Sequence, residues 1–304
     1  MNSLGFNKKE NDTKVIVAMS GGVDSSVAAV KLKKEGYDVT GVTLRLYNQP
    51  NSSKSKSCCA GIDINDAKKV AEQYDFPHKV FDYQDKFFNG VISNFVDSYA
   101  MGETPVPCIQ CNQTVKFSDL LKESKNLNAD ALVTGHYAIR KGGLKKSKLF
   151  KAKDKTKDQS YFLFATLQDQ LDYVRFPLGN YLKSEIRQMA NDYNLAVSDK
   201  PDSQDICFVT SDSYRDLINK IQPDINRQGN IFDMNGNKIG IHKGIANYTV
   251  GQRKGIGVGG QDQPLYVKEV NKNQNYIVLA PLQSLKKNKI FFKNINLLEK
   301  EIAS

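Results

Sequence analysis

Apolar and polar positions alternate in blocks through the first two hundred residues. Residues 15–19 form a short apolar run that reads as a buried strand, and Val27, Ala28, Val30 and Leu32 recur at helical spacing over 27–35. The same alternation predicts strands at 39–46, 78–82 and 131–134. Helices are predicted at 65–74 (Ala67, Val70 and Ala71 on one side), at 87–99 (Phe87, Phe88, Val91, Ile92, Phe95 and Val96), and at 115–123. A further helix over 184–193 would take Ser184 as its N-cap and turn Ile186, Met189 and Ala190 inward. This βα rhythm predicts an α/β fold, a doubly wound parallel sheet with helices on both faces and ligands beyond the carboxyl ends of the strands. After Val209 the texture becomes rich in Gly, Asn and β-formers, with strands expected near 229–232, 239–241 and 266–270. The expected organisation is a catalytic domain over 1–210, a small β-containing domain over 211–282, and a last strand within 289–298 that opens a truncated third domain over 283–304.

Between the first strand and helix stands the run Ser20, Gly21, Gly22, Val23, Asp24, Ser25, Ser26. The two glycines leave no side chain in the way of a ligand. The hydroxyls and the free N–H groups of the new helix point at the same spot, as in phosphate-binding turns. The spacing is neither that of a Walker loop nor that of G-x-G-x-x-G. Asp24 is out of place in a plain anion cradle and makes sense where Mg2+ bridges carboxylate and phosphates. The run resembles the pyrophosphate loop (PP-loop) of the ATP-pyrophosphatase superfamily, the adenine nucleotide alpha-hydrolase-like fold, whose members transfer AMP to a carbonyl oxygen. That resemblance leaves the substrate open.

With 43 Lys+Arg against 33 Asp+Glu the chain carries a net charge of +10, a surplus suited to a polyanionic partner such as RNA. There is no run of about 18 apolar residues to cross a membrane and no apolar signal region at the start, so a cytoplasmic protein without membrane attachment is expected. Its five cysteines would then be reduced, and their placement points to chemistry or metal. Cys108 and Cys111 stand at C-x-x-C spacing in a loop stiffened by Pro105 and Pro107. With Asn112 or Thr114 capping a helix from about Val115, Cys111 would lie by its N-terminus, where the dipole lowers a thiol pKa. Cys207 sits in a polar loop just before the change of texture. Cys58 and Cys59 follow a polar loop over 48–57 and receive no role.

Segments 20–26, 104–112, 129–137, 157–163, 202–208 and 248–260, in that order, resemble the tRNA-specific 2-thiouridylase family from Lys14 to about Pro281. The resemblance implies that Cys111 is the nucleophile, that Cys207 carries sulfur as a persulfide, and that Cys111 cleaves the S–S bond or helps release the sulfur; a disulfide bond is expected. It implies that Ala18, Met19, Ser20, Gly21, Gly22, Val23, Asp24, Ser25, Leu44 and Gly135 bind ATP. Val106, Pro107, Cys108, His136, Lys157, Asp158 and Gln159 would contact tRNA or its target base. Arg253 and Lys254, in the glycine-rich run 248–260, suit phosphate-backbone contact. The expected partners are tRNA and a cysteine desulfurase or sulfur-relay protein.

Many members have an aspartate with an acid/base role where this chain has Cys108. Cys108, Cys111 and Cys207 therefore also offer three thiolates to zinc or to an iron–sulfur cluster, one short of the usual four. The expected reaction is adenylation of the uracil C2 oxygen followed by sulfur transfer, giving 2-thiouridine, AMP and pyrophosphate. Iron–sulfur-dependent thiolation, a small-molecule PP-loop synthetase and a non-catalytic RNA-binding protein are the alternatives.

Overall fold

A computed structural model describes residues 1–47, 61–202, 205–209, 213–260, 263–292 and 294–298. Cys58, Cys59 and the polar loop before them lie outside the described residues.

Five strands form a parallel sheet: β1 (Lys14–Ala18), β2 (Asp38–Arg45), β3 (His78–Asp82), β4 (Ala131–Thr134) and β7 (Val174–Arg175), in the order β3-β2-β1-β4-β7. Val15, Ile16 and Val17 of β1 and Ala131, Leu132 and Val133 of β4 are fully buried, as central strands covered on both faces should be. The order reverses at β1, which pairs with β2 on one side and with β4 on the other, Ala18 standing opposite both Val42 and Thr134. Such a switch point opens a crevice at the carboxyl ends of β1 and β4. Helix α1 (Val23–Lys34) follows β1 and packs Val23, Val27, Val30 and Leu32 into one core with α2 (Gly61–Gln73) and α8 (Lys183–Asp192). A small antiparallel hairpin, β5 (Ala138–Lys141) with β6 (Lys148–Lys151), follows β4.

Two helices differ from the pattern-based expectation. The apolar stretch at 87–99 is α3 (Gln84–Phe87), a π-helical turn Phe88–Ile92, and α4 (Ser93–Ala100). The helix expected from Val115 begins at Pro107. It runs as α5 (Pro107–Cys111), a π-helical stretch Asn112–Leu120 and α6 (Leu121–Asn126). Pro107, read as a loop stiffener, occupies the first helical position, where its missing N–H costs nothing. Asn112 and Thr114 therefore cap nothing, and the Thr114 hydroxyl donates to the Gln110 carbonyl at 2.8 Å. Helix α8 also starts earlier than expected: Leu182, whose N–H donates to Glu185 Oε2 at 2.6 Å, replaces Ser184 as its cap.

The chain divides into two compact units: Met1–Val91 with Cys108–Phe208 and Asn296–Ser304, and Ile92–Pro107 with Val209–Ile295. The main run of the first unit ends at Phe208, and segment Ile92–Pro107 joins the second unit. There the Tyr99 ring stacks on Tyr214 at 4.8 Å and Phe95 meets it edge-on at 6.4 Å. The second unit contains α9 (Tyr214–Ile221) and a four-stranded sheet of β8 (Gly229–Phe232), β9 (Lys238–His242), β10 (Leu265–Asn271) and β11 (Tyr276–Pro281), in the order β10-β11-β8-β9. Helix α7 (Gln168–Tyr173) belongs to the first unit. No strand forms over 289–298 among the described residues. Within the first unit, Asn296 Nδ2 donates to the Phe164 and Thr166 carbonyls, at 3.0 and 2.8 Å.

Candidate active site

At the switch point the chain leaves β1 through Met19 and Ser20 and enters α1 at Val23. Gly21 has φ +70°, and a Cβ there would stand 2.2 Å from the Asp63 carbonyl oxygen, so the turn accepts only glycine. Gly22 starts α1 with no side-chain cap, leaving the first N–H groups of the helix free for an anion. Ser25 Oγ accepts from Ser20 N–H at 3.1 Å and donates to the Gly22 carbonyl at 3.3 Å, closing the loop on itself. Ser26, counted from sequence among the phosphate donors, is fully buried. From the other strand, Gly135 presses on the loop: a Cβ on it would lie 2.9 Å from Ser25 N. Leu44, near the end of β2, is buried, as is Met19.

Asp24 is the electrostatic centre. Its Oδ1 accepts from Tyr137 Oη at 2.7 Å, and Lys183 Nζ donates to Oδ1 and Oδ2 at 2.6 and 2.8 Å. Burial, and then the Asp24 charge, push the Tyr137 phenol well above its ordinary range, so this hydroxyl stays a donor. Lys183 also pairs with Asp202 at 2.9 Å, and Lys157 and Arg187 meet the same carboxylate at 2.8 and 2.9 Å. Burial pushes the Asp202 carboxyl up, but the hydrogen bonds and charges of Lys157 and Lys183 outweigh it and hold the group at about 2. On the loop's other side Lys200 Nζ donates to the Gly21 carbonyl at 2.9 Å and to the Asp66 carboxylate at 2.8 Å, and pairs with Asp63. Sequence reasoning missed Lys183, Arg187 and Lys200, because scattered lysines and arginines carry no motif; only the fold gathers them round the loop.

Cys111 is 8% exposed at the end of α5. Burial pushes its thiol up; Lys116 pulls it down by less, and Cys108 adds to the rise. The lowered pKa expected from a helix N-terminus is thus reversed, since Cys111 lies one turn inside the helix and out of water. Cys108, one turn earlier, is exposed. Asn112, next to the thiol, donates through Nδ2 to the Phe162 carbonyl at 3.1 Å, while its buried Oδ1 meets no donor among the described residues. His136, after β4, pairs through Nδ1 with Thr134 Oγ1 at 2.7 Å and packs against Phe117 and Phe176. Burial first, then Lys116, pushes its imidazole down to about 3, leaving it neutral. Cys207 is half-buried, its carbonyl accepting from Tyr47 Oη at 2.6 Å, and the next ring, Phe208, packs on Phe87.

Other sequence-selected residues have internal duties. Asp158 accepts from Ala152 N–H at 2.9 Å and Ser160 Oγ at 2.8 Å, and Gln159 exchanges hydrogen bonds with the Tyr137 backbone. Val106 and Pro107 close the segment that belongs to the second unit. In that unit Arg253 lines a cavity of about 600 Å3 with Gly255, Gly257 and Gly260, all at positive φ. Among the described residues no three His, Cys, Asp or Glu side chains stand together as a metal group, so Cys108, Cys111 and Cys207 are not gathered as cluster ligands.

Residues 13–211 match the family described as tRNA methyl transferase HUP domain, and residues 215–281 match the tRNA methyl transferase PRC-barrel domain. Curated relatives named tRNA-specific 2-thiouridylase MnmA are similar over nearly the whole chain. The protein from Dinoroseobacter shibae is 50% identical over 98% of this chain and 78% of its own length. That from Jannaschia sp. is 51% identical over 98% and 79%. That from Paracoccus denitrificans is 52% identical over 94% and 74%. Among solved structures, NMN synthetase from Francisella tularensis is similar at a TM-score of 0.40 and 16% identity, covering 70% of this chain and 78% of that one.

Proposed function

The chain belongs to the tRNA-specific 2-thiouridylase family, and from that membership we propose that it replaces the C2 oxygen of the tRNA wobble uridine with sulfur at the expense of ATP. The observation that carries this reading is the meeting of a PP-loop at the sheet's switch point with Cys111 and Cys207 in the same compact unit. The HUP and PRC-barrel descriptions mention methyl transfer, whereas the relatives are thiouridylases; a loop for pyrophosphate and a pair of thiols suit sulfur chemistry.

In the proposed reaction the triphosphate lies on the N–H groups of residues 20–25. The uracil O2 attacks the α-phosphorus, the bond to the β-phosphate oxygen breaks, and pyrophosphate leaves. A magnesium ion would find its carboxylate in Asp24 and would neutralise the phosphates. Lys183, already on that carboxylate, adds a cation where pyrophosphate gathers charge, filling the place of a Walker lysine. Neutral His136 and rings such as Phe117 suit an uncharged base taken out of its stack.

The terminal sulfur of a Cys207 persulfide then adds to C2, and AMP leaves with the former O2. Cys111 gives up its thiol proton to water as it attacks Cys207 Sγ and breaks the S–S bond, whose electron pair stays with the sulfur on C2. The product is 2-thiouridine and a Cys111–Cys207 disulfide. Two cellular thiols, oxidised to a disulfide in the exchange, reopen it, and a cysteine desulfurase or sulfur-relay protein reloads Cys207. Among the described residues no helix is long and apolar enough to cross a membrane, and we place the reaction in the cytoplasm with its tRNA and ATP.

Reconstitution with unmodified tRNA, ATP and a persulfide-loaded donor, followed by nucleoside mass spectrometry, tests the proposal. It expects 2-thiouridine only when all three are present. A methylated nucleoside, or sulfur incorporation without ATP, would overturn it.

A further inference from the structure

Away from the PP-loop, the first unit holds a cavity of about 310 Å3. Arg140 of β5, Arg175 of β7 and Lys31 of α1 line it together with Ser3, Asn180 and Tyr181, and no acidic residue does. Its Ser3 wall is anchored near the amino-terminal edge of the sheet. Ser3 Oγ meets the hydroxyl of Tyr37, just before β2, at 2.8 Å, and Asn2 Nδ2 donates to Thr13, just before β1, at 2.9 Å. The PP-loop leaves the opposite edge, and none of its residues lines the cavity.

The two arginines are bound but not neutralised. Arg175, 4% exposed, donates through Nε to the Leu4 carbonyl at 2.7 Å and through Nη1 to the Asp172 and Val174 carbonyls, both at 2.8 Å. Arg140 donates to the Leu171, Gly142, Gly143 and Asp172 carbonyls. Both guanidiniums thus share the Asp172 carbonyl oxygen and lie side by side. Among the described residues neither has a carboxylate within ion-pair distance. The Asp172 carboxylate is occupied by Ser147 N–H, Lys146 N–H and Gln168 Nε2, and Lys31 is matched by Glu35. Arg175 Nη2 makes no hydrogen bond among the described residues, and Arg140 Nη1 keeps an N–H to spare. Burial, and then the neighbouring Arg140, push Arg175 down to about 9. Adjacent buried like charges are costly unless a counter-charge joins them.

We propose that this cavity is a second anion site, which takes the phosphate group of a small molecule on the free N–H groups of Arg175 and Arg140. Arg175 Nη2 and the spare N–H of Arg140 Nη1 offer one charged donor group from each guanidinium, so a phosphate would be held between the two arginines. The volume admits a phosphate ester or pyrophosphate as well as the bare ion, and its concave form favours a small ligand over an RNA backbone. The inference does not rest on the thiolation reading.

The test uses the intact protein with its nucleotide site saturated by a non-hydrolysable ATP analogue. Inorganic phosphate, pyrophosphate and AMP are titrated at constant ionic strength, and crystals are soaked in selenate. The expected results are a saturable rise in melting temperature absent with chloride, and an anomalous peak beside Arg175 Nη2. Arg140→Gln should weaken phosphate binding at least tenfold. Asn180→Asp changes an exposed side chain on the cavity wall without removing a tether, and should abolish the phosphate response while raising the melting temperature of the free protein. Equal stabilisation by phosphate and chloride, no ordered selenate, or weaker tRNA binding in Arg140→Gln without any small-anion response would each overturn the proposal.

Discussion

Burial raises the pKa of the Cys111 thiol. Cys111 is kept protonated by burial, so the fold favours the neutral form. That contribution to stability is full below the ordinary thiol pKa of about 8.5 and is lost as pH rises through the higher folded value. Iodoacetamide labelling followed by peptide mass spectrometry should find exposed Cys108 modified first at pH 7.5, with Cys111 labelling rising only above the ordinary thiol range. Rapid labelling of Cys111 at neutral pH would restore the activated thiolate expected from sequence. His136, at about 3, stays neutral from pH 8 to 5, so no inflection in activity over that span belongs to it; the His136→Gln pH profile should match wild type in shape. Cys111→Ser and Cys207→Ser should each abolish 2-thiouridine formation, whereas Cys58→Ser and Cys59→Ser should retain it. The cysteine spacing was legible in the sequence. The burial of Cys111 was not, because it depends on where the helix begins.

Elements carry the next layer. The PP-loop was legible because glycine, serine and an acid crowd between a strand and a helix. The structure adds that its shape is held from outside, by the Asp63 backbone under Gly21 and by Gly135 against Ser25. Gly135→Ala would drive a Cβ to 2.9 Å from a backbone nitrogen, which cannot swing away as a side chain can. ATP affinity should fall at least tenfold while far-ultraviolet circular dichroism stays unchanged; wild-type affinity would mean that the loop shifts freely. The segment 107–126 was harder to read. Pro105 and Pro107 signal a loop by composition, yet proline at a first helical position starts a helix, and the π-helical stretch blurs the apolar spacing on which periodicity depends. Lys183 illustrates what no spacing reveals: it lies 159 positions from Asp24 and reaches it only because α8 packs beside α1. If Lys183 stabilises the departing pyrophosphate, Lys183→Met should lower kcat at least a hundredfold with a smaller change in the KM for ATP, and Lys183→Arg should recover part of it. A change in KM alone would assign it to ground-state binding.

For the molecule as a whole, composition and topology divide the work. The βα rhythm of the first unit and the β-rich texture after Val209 were both readable, since each rests on local periodicity. The return of segment Ile92–Pro107 to the second unit was not: it depends on Tyr99 finding Tyr214, 115 positions away. The net charge of +10 predicts salt-sensitive RNA binding, each neutralised phosphate adding about 0.9 to the logarithmic slope on duplex regions. Filter binding of tRNA at two ionic strengths checks this, and an affinity indifferent to salt would contradict it. The central claim is that the uracil oxygen itself attacks ATP and departs with AMP. The most direct measurement uses tRNA whose wobble uracil carries 18O at C2, with mass spectrometry of the released nucleotide. The account predicts one 18O in AMP for each 2-thiouridine formed, with pyrophosphate unlabelled. Recovery of the label in water, or ATP cleaved to ADP and inorganic phosphate, would contradict it.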